Sequence, residues 1–482
     1  MGTPAMRNSS FVCSLIFGFL FTLAPNGRAQ EPYGSVAAQV SAGQTSQERQ
    51  SPPTEKMPGM QHNVDGNVQQ MEHEGMPGMQ MKMNEEPRSF VEAIEHHGIS
   101  GTSAEPNSTL MPMLMTIKGK WMLMFHGVAF LNSLQQSGPR GADKVFSTNW
   151  LMPMAQRQLG PGTLTVRTML SFEPATITDR YYPELFQQGE TAFGKPIVDG
   201  QHPHDFIMEL AALYDLKLGD NGLLSFYAAP VGDPAMGPAA YPHRASAAED
   251  PVAPLGHHLQ DSTHIADDVI TAGLAYKVAR LEASGFHGRE PDEFRWDIDS
   301  GKINSWSIRA TVNPAQNWSA QYSFAHLTGP EALHPDEDIQ RMTASLMYNR
   351  PIANGNWVST LLWGRNRILE TGLVWNGYLA ESTVRFAKRN YLWGRIENVD
   401  RTNELLLRNM FESPNFPEYV IGRVQAYTAG YERDVDLIPH LATGVGAQVT
   451  IYSTPDLLKE QYGSHPVGAV VFFRLRPFGK SR

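Results

Sequence analysis

From residue 118 onward, apolar and polar residues alternate with a period of two in segments of about ten residues. In segment 206–218 every residue on one face is apolar, whereas the other face carries Glu209, Asp215 and Lys217. The same division recurs in segments 305–312, 317–324 and 378–386. Because successive side chains of a strand point to opposite faces, this period predicts β-strands with one apolar and one polar face.

The connections between these predicted strands alternate between short and long over the C-terminal half of the chain. Short connections lie near residues 278–280, 313–317, 351–356, 387–390 and 436–439. Long polar connections lie near residues 287–304, 327–339, 365–376, 400–418 and 453–466. Short periplasmic turns and long outer loops are typical of outer-membrane β-barrels, whereas alternation alone would also suit a soluble β-sandwich. The connections therefore favour a barrel.

Further strands are predicted upstream, near residues 119–132, 145–155, 163–173, 205–218, 222–230 and 268–278. The predicted fold is all-β, an antiparallel transmembrane β-barrel of about 16 strands with a disordered N-terminal arm. The barrel is expected to span residues 118–482, with both ends on the periplasmic side. The last strand, residues 468–478, resembles the closing strand of such barrels, with Arg474 and Arg476 turned inward.

Residues 1–29 have the features of a secretory signal peptide. Arg7 precedes an apolar run at residues 11–24, and the small residues Gly27 and Ala29 stand at the positions that a signal peptidase reads. The run is shorter than the roughly 20 residues that span a bilayer. The single cysteine, Cys13, lies within it, so the mature chain is expected to lack disulfides.

The rest of the chain is fairly polar, with a mean hydropathy of −0.33 and a formal net charge of −10. Past residue 29 there is no apolar run of about 18 residues, so transmembrane helices are not expected. The negative charge argues against a nucleic-acid partner. We expect the barrel to lie in the outer membrane, in contact with its lipid, and the arm to lie in the periplasm.

Residues 30–117 are predicted to form a flexible, methionine- and histidine-rich arm. It twice contains the motif Met-Pro-Gly-Met, whose central Pro-Gly pair favours a turn that brings two thioethers together. Thioether sulfur is a soft, uncharged ligand that favours Cu(I) or Ag(I), bound as cargo or ligand. The alternative is a tether with biased composition, or methionines that scavenge oxidants. The candidate ligands of the arm are Met57, Met60, His62, Met71, His73, Met76, Met79, Met81 and Met83.

The first predicted barrel strand continues this series of soft ligands. Its apolar face is expected to meet lipid, so Met122, Met124 and His126 would lie on the opposite face, spaced about 6.6 to 6.8 Å apart along the wall. A soft ion could step between ligands at this spacing. The alternative is that these methionines fill a packed interior.

A second group of candidate metal ligands lies in the predicted outer loops. The group contains six of the 16 histidines of the chain and four nearby aspartates: His202, His204, Asp205, His243, His257, His258, Asp261, His264, Asp267 and Asp268. The loop at residues 231–266 is long enough to fold into the mouth of the barrel, and loops of this length are often functional. The alternative is that these histidines are ordinary hydrogen-bonding residues, and adjacent histidines point apart if the chain is extended.

An exported chain with such an arm leading into a barrel resembles the copper-resistance outer-membrane protein B family. The resemblance rests on this layout and on the motifs within residues 57–83. The segments QHPHDF (201–206), GHHLQDSTHI (256–265), FHGREPDE (286–293) and NSWSIRATVNP (304–314) look instead like a family of uncharacterised bacterial outer-membrane proteins.

The first resemblance implies a protein that binds or passes copper in metal tolerance, together with periplasmic copper-handling proteins. The alternative is a porin of other or broad substrate range whose methionine-rich arm is incidental. A third possibility is a hydrolase site on the barrel rim. The sequence has no nucleophile elbow, phosphate loop, His-Glu-x-x-His motif or cysteine pair, so we expect no catalytic and no cofactor-binding residues.

Overall fold

The computed structural model describes residues 87–109, 113–407, 416–439 and 441–477, which belong to one structural unit. The predicted signal peptide and the arm ligands from Met57 to Met83 lie outside the described residues. In the part that is described, no helix is long and apolar enough to cross a membrane.

Within these ranges the chain forms nineteen strands and four short α-helices. The strands are β1 Leu114–Lys118, β2 Trp121–Gln136, β3 Lys144–Leu159, β4 Gly162–Leu170, β5 Tyr182–Ala192, β6 Lys195–Gln201, β7 Ile207–Leu218, β8 Gly222–Gly232, β9 Ala266–Tyr276, β10 Ala279–His287, β11 Ser305–Ala315, β12 Trp318–Leu327, β13 Ile339–Ile352, β14 Gly355–Ile368, β15 Val374–Phe386, β16 Asn390–Thr402, β17 Val420–Asp434, β18 Ala442–Ser453 and β19 Val467–Arg476. The helices are α1 Phe90–Glu95, α2 Glu173–Thr176, α3 His257–Gln260 and α4 Lys459–Tyr462.

Sixteen of these strands, β2 to β4 and β7 to β19, form a closed antiparallel ring. Each pairs with its neighbours in chain order, and β19 closes the ring on β2 from Gly468 opposite Gln136 to Leu475 opposite Ala129. The predicted fold class, an antiparallel β-barrel of about 16 strands, is confirmed. Three strands were not predicted: β1 extends the sheet beside the start of β2, and β5 and β6 form a separate hairpin.

The two ends of the ring differ in their connections. One end has short turns, such as residues 160–161 between β3 and β4, and it also holds the start of β2 and the end of β19. The other end has the long loops, including residues 171–206 and 233–265. The connection predicted to be long near 365–376 is short, residues 369–373, because β14 and β15 pair almost to their ends.

The wall has an apolar outer face and a charged inner face. On the outside, Ile270 and Leu281 are more than half exposed, as are several other large apolar side chains. On the inside, buried arginines pair with buried carboxylates, such as Arg167 with Glu209 and Arg309 with Glu282. This is the reverse of a soluble protein, because the apolar residues surround a polar interior.

Two segments fill the interior of the ring. The first is residues 87–109, where Phe90 and Ile94 of α1 pack against the wall residue Leu223. Arg167 donates to the carbonyl oxygens of three residues in this segment, at 2.6–3.0 Å. The sequence had placed the whole of residues 30–117 in a flexible arm, but this part is held by charged groups of the distant wall.

The second filling segment is the loop 233–265, which folds inward as its length suggested. Its Arg244 donates to Glu381 of β15 at 2.6 Å, and its Glu249 accepts from Arg474 of β19 at 2.7 Å. The Gly237 amide donates to the Ser323 hydroxyl of β12 at 2.9 Å. Since these partners lie on widely separated strands, the loop crosses the lumen.

A closed ring has no open sheet edge, and this makes a direct prediction about the purified protein. Barrels of this kind keep their backbone groups paired and resist detergent. Unheated protein should therefore migrate differently from boiled protein on a denaturing gel and should fractionate with the outer membrane. Identical migration, together with release as a soluble periplasmic species, would contradict the barrel.

Candidate metal centre

One section of the lumen wall is made of methionines. Met124 of β2, Met152 and Met154 of β3, Met169 of β4 and Met208 of β7 are all buried and form one cluster. Met113, Met115 and Met122 pack against this cluster and are partly buried. Eight of the 22 methionines of the chain therefore meet in one place.

Strand pairing explains how they meet. In the antiparallel register, Met124 lies directly opposite Met154, and His126 lies opposite Met152. Residues two apart on a strand share a face, and directly opposite residues of neighbouring strands share it too. The inner faces of β2 and β3 therefore present one continuous surface of thioethers and an imidazole.

Met208 reaches the cluster through an irregularity. Strict alternation predicted it on the apolar, outward face of its strand. However, the register between β4 and β7 shifts by a residue between Met169 and Leu170. Such a bulge re-aims a side chain, and Met208 is buried in the cluster beside Met169.

Two histidines adjoin the thioethers. His243, from the loop 233–265, places Nε2 at 3.2 Å from the sulfur of Met169. Its ring stacks on Trp150 at 4.2 Å and meets the ring of His126 edge-on at 5.7 Å. Among the described residues, the buried Nδ1 of His243 has no hydrogen-bond partner. Burial, followed by the nearby His126, holds the pKa of His243 well below its usual value, so the imidazole is neutral and can act as a ligand.

This arrangement suits a soft ion. Thioether sulfur and neutral imidazole carry no charge and are easily polarised, which favours Cu(I) or Ag(I) over calcium or magnesium. Methionine is also a common filler of irregular interiors, so burial alone would be consistent with packing. Packing alone, however, does not require the contact between the imidazole nitrogen of His243 and the thioether sulfur of Met169.

The sequence identified part of this cluster. Met122, Met124 and His126 were predicted to lie on the inner face of the first strand, and the structure brings them to the cluster. Sequence reasoning missed Met152, Met154, Met169 and Met208. It had grouped His243 with the other outer-loop histidines, whereas the structure places this residue against the methionines. The spacing Met152-Pro153-Met154 on a predicted strand was a usable signal, because it places two thioethers on one face.

The loop histidines form a second group, close to α3. His204 lies beside His264 at 5.3 Å between ring centroids, and His264 lies beside His257 at 5.4 Å. His257 and His258 are 5.2 Å apart, and His258 is 5.5 Å from His202. Adjacent histidines were expected to point apart in an extended chain. They converge because residues 257–260 form a helical turn.

Hydrogen bonds orient these rings. Nδ1 of His204 bonds to Glu173 at 2.9 Å, and Nδ1 of His257 bonds to Asp261 at 2.7 Å. Nδ1 of His264 donates to the Asp261 carbonyl oxygen at 2.8 Å, while its buried Nε2 has no hydrogen-bond partner among the described residues. The next residue, Ile265, packs in the methionine cluster, so the two groups adjoin.

No family model and no curated protein sequence matches this chain. Among solved structures, the chain is similar to an anion-selective porin from Comamonas acidovorans, with a TM-score of 0.47 and 10% identity over 74% of this chain and 99% of that one. It is also similar to OmpF of Salmonella typhi, solved in complex with daunomycin, with a TM-score of 0.43 and 9% identity over 75% and 100%. A third is the outer membrane channel DcaP of Acinetobacter baumannii, with a TM-score of 0.41 and 10% identity over 74% and 99%. Since all three scores are below 0.5, the closed ring itself is the basis for the fold.

Proposed function

We propose that this protein is an outer-membrane β-barrel of the porin type. An apolar outer face, short turns at one end and long loops at the other support this proposal. A ring of sixteen strands is large enough to enclose an aqueous channel. Here, however, residues 87–109 and the loop 233–265 occupy the interior, so passage of a solute would require one of them to move.

Within this barrel, we propose that the lumen binds or passes Cu(I) in metal tolerance. The single observation that carries this is the methionine cluster, where Nε2 of His243 lies 3.2 Å from the Met169 sulfur. Neutral soft donors in a buried site select a soft ion by its chemistry rather than by its charge. The arm, with its repeated Met-Pro-Gly-Met motif, would collect ions in the periplasm.

The second candidate is a porin of other or broad substrate range. The strand number favours it, because general porins are built from 16 to 18 strands. The charged inner wall is equally compatible with a polar solute and with a metal ion. Arg341 and Glu381 belong to that wall. In this case the methionines would serve as packing.

Deleting the gene separates the two candidates. If the lumen handles copper, the deletion strain should become several-fold more sensitive to copper on graded plates, and plasmid-borne protein should restore tolerance. Sensitivity to cadmium and the uptake of small neutral sugars should not change. Unchanged copper tolerance combined with slower uptake of sugars or anions would contradict the copper proposal and support the general porin.

A further inference from the structure

We propose that Glu190, His202 and His258 form a binding site for one divalent transition-metal ion, Cu(II) or Zn(II), distinct from the methionine cluster. Glu190 lies on β5, His202 directly follows β6, and His258 lies on α3. One ligand atom from each residue lies within 4.8 Å of the other two. Two imidazole nitrogens and a carboxylate oxygen are a known zinc ligand set that leaves a fourth position open.

The hydrogen bonds of His202 select the nitrogen that faces the site. Nδ1 lies 2.9 Å from the carbonyl oxygen of Pro203, which can only accept, so Nδ1 carries a proton. Nε2 then faces Oε1 of Glu190 at 2.7 Å. A neutral ring in this tautomer turns a lone pair toward a carboxylate, which is repulsive without a cation. With bonds of about 2.1 Å, two ligand atoms are about 3.0 Å apart in the square-planar geometry of Cu(II) and about 3.4 Å apart in the tetrahedral geometry of zinc, so a bound ion would move these two atoms slightly apart.

His258 supplies the third ligand atom. Its Nε2 is buried and has no hydrogen-bond partner among the described residues. A buried imidazole nitrogen without a partner costs free energy, and a metal ion would satisfy it. Because its ring lies 5.5 Å from that of His202, both nitrogens can reach one ion.

The backbone beside Glu190 passes close to the ring of His258. Gly189 has φ +101°, and a Cβ atom added there would lie 3.4 Å from the ring of His258. Glu190 itself has φ +69°, a left-handed conformation that is uncommon for a residue with a Cβ. Such strained positions are concentrated at ligand sites, where surrounding contacts keep them in place.

Arg295 explains how the carboxylate is held in position. It pairs with Oε2 of Glu190 and also contacts Asp205 at 3.4 Å. This leaves Oε1 directed toward the two histidines. Charged partners behind a ligand are typical of metal sites, because they fix its orientation. A purely structural network would account for the Arg295 pair, but it would not account for the unsatisfied nitrogen of His258.

The proposed site and the methionine cluster differ in the ions they select. Imidazole and carboxylate favour Cu(II) or Zn(II), whereas thioethers favour Cu(I). The rings of His257 and His264 lie between the two sites, in steps of 5.2 and 5.4 Å from His258. The divalent site does not depend on the copper proposal, since its ligands lie outside the methionine cluster.

The test uses full-length protein folded in detergent, titrated with Cu(II) or Zn(II) against a competing chelator. Compared with wild-type protein, each of the variants His202→Gln, His258→Gln and Glu190→Gln should bind one metal ion fewer, or bind it about 10- to 100-fold more weakly. The Cu(II) spin-resonance spectrum should lose a component coupled to two nitrogens. The control is His287→Gln at the end of β10, where the His287 ring contacts the carbonyl oxygen of Lys302.

Each variant is first checked for heat-dependent migration, so that only folded protein is compared. The isosteric Glu190→Gln change keeps the test valid if a histidine variant does not fold. Unchanged stoichiometry and affinity in folded variants would overturn the proposal, as would wild-type protein that binds no divalent ion. The Cu(I) stoichiometry should be the same in all variants. A failure of the divalent-site proposal is therefore distinguishable from a failure of the Cu(I) proposal.

Discussion

Replacing Met124, Met152, Met154 and Met169 with leucine should weaken Cu(I) and Ag(I) binding by the lumen by about 100-fold or more. Leucine keeps size and apolarity but removes the sulfur lone pairs that a soft ion requires. Exchanges between leucine and methionine in a core usually cost less than about 1.5 kcal/mol each, and the closed strand ladder is untouched. The barrel should therefore still fold.

The measurement is Cu(I) stoichiometry and affinity in competition with a Cu(I)-specific chelator. Since the arm is also expected to bind Cu(I), the lumen variant is compared with an arm variant in which Met57, Met60, Met76 and Met79 are leucine. The number of Cu(I) ions lost in the lumen variant and the number lost in the arm variant should add up when the two sets of substitutions are combined. A matched control replaces Met236 and Met347, which are buried outside the cluster. If the lumen variant binds as many ions as wild type, the methionines only fill the interior, and the result favours the general porin.

Replacing Arg244 with methionine should release the loop 233–265 from the lumen. Arg244 donates to Asp261 at 2.7 Å and to Glu381 at 2.6 Å, and all three side chains are almost completely buried. Removing one partner of a buried ion pair costs about 3–5 kcal/mol. Since Glu381 keeps its pair with Arg395 and Asp261 its hydrogen bond with His257, we expect the lower end of this range. The equilibrium ratio of docked to undocked loop should therefore fall by more than about 100-fold.

Single-channel recordings in planar bilayers measure this release. Wild-type protein should show low conductance, and Arg244→Met should show larger and more frequent openings, together with protease cleavage inside the loop. The control is Arg389→Met, which breaks a partly exposed pair with Asp436. Ion pairs near the surface typically contribute less than about 1 kcal/mol. Equal conductance in wild type and Arg244→Met would show that other contacts hold the loop, such as the pair between Glu249 and Arg474.

The barrel could be predicted because its rule is local. A membrane strand must turn apolar residues outward at every second position, so the period of two is written into each segment. The same rule placed Met124 and His126 on the inner face. It could not place Met208, because a register shift with a neighbouring strand depends on that neighbour.

The interior was harder to predict because its contacts join distant parts of the chain. Residues 87–109 have few apolar side chains, and from composition alone they suited a flexible arm. In the structure, Arg167 donates to three of their backbone carbonyl oxygens and also pairs with Glu209. No local sequence pattern predicts such a partner, because the partner's identity depends on which side chains line the completed ring.

From the sequence alone, a closed antiparallel barrel of about 16 strands, its inner and outer faces and a set of soft ligands could be predicted. Which of these ligands come together depends on the folded chain. Met169 and His243 are 74 positions apart, and Glu190 and His258 are 68 apart, yet each pair converges. The physical reason is that side-chain direction follows from the period of one strand, whereas proximity follows from strand register and from where a long loop folds.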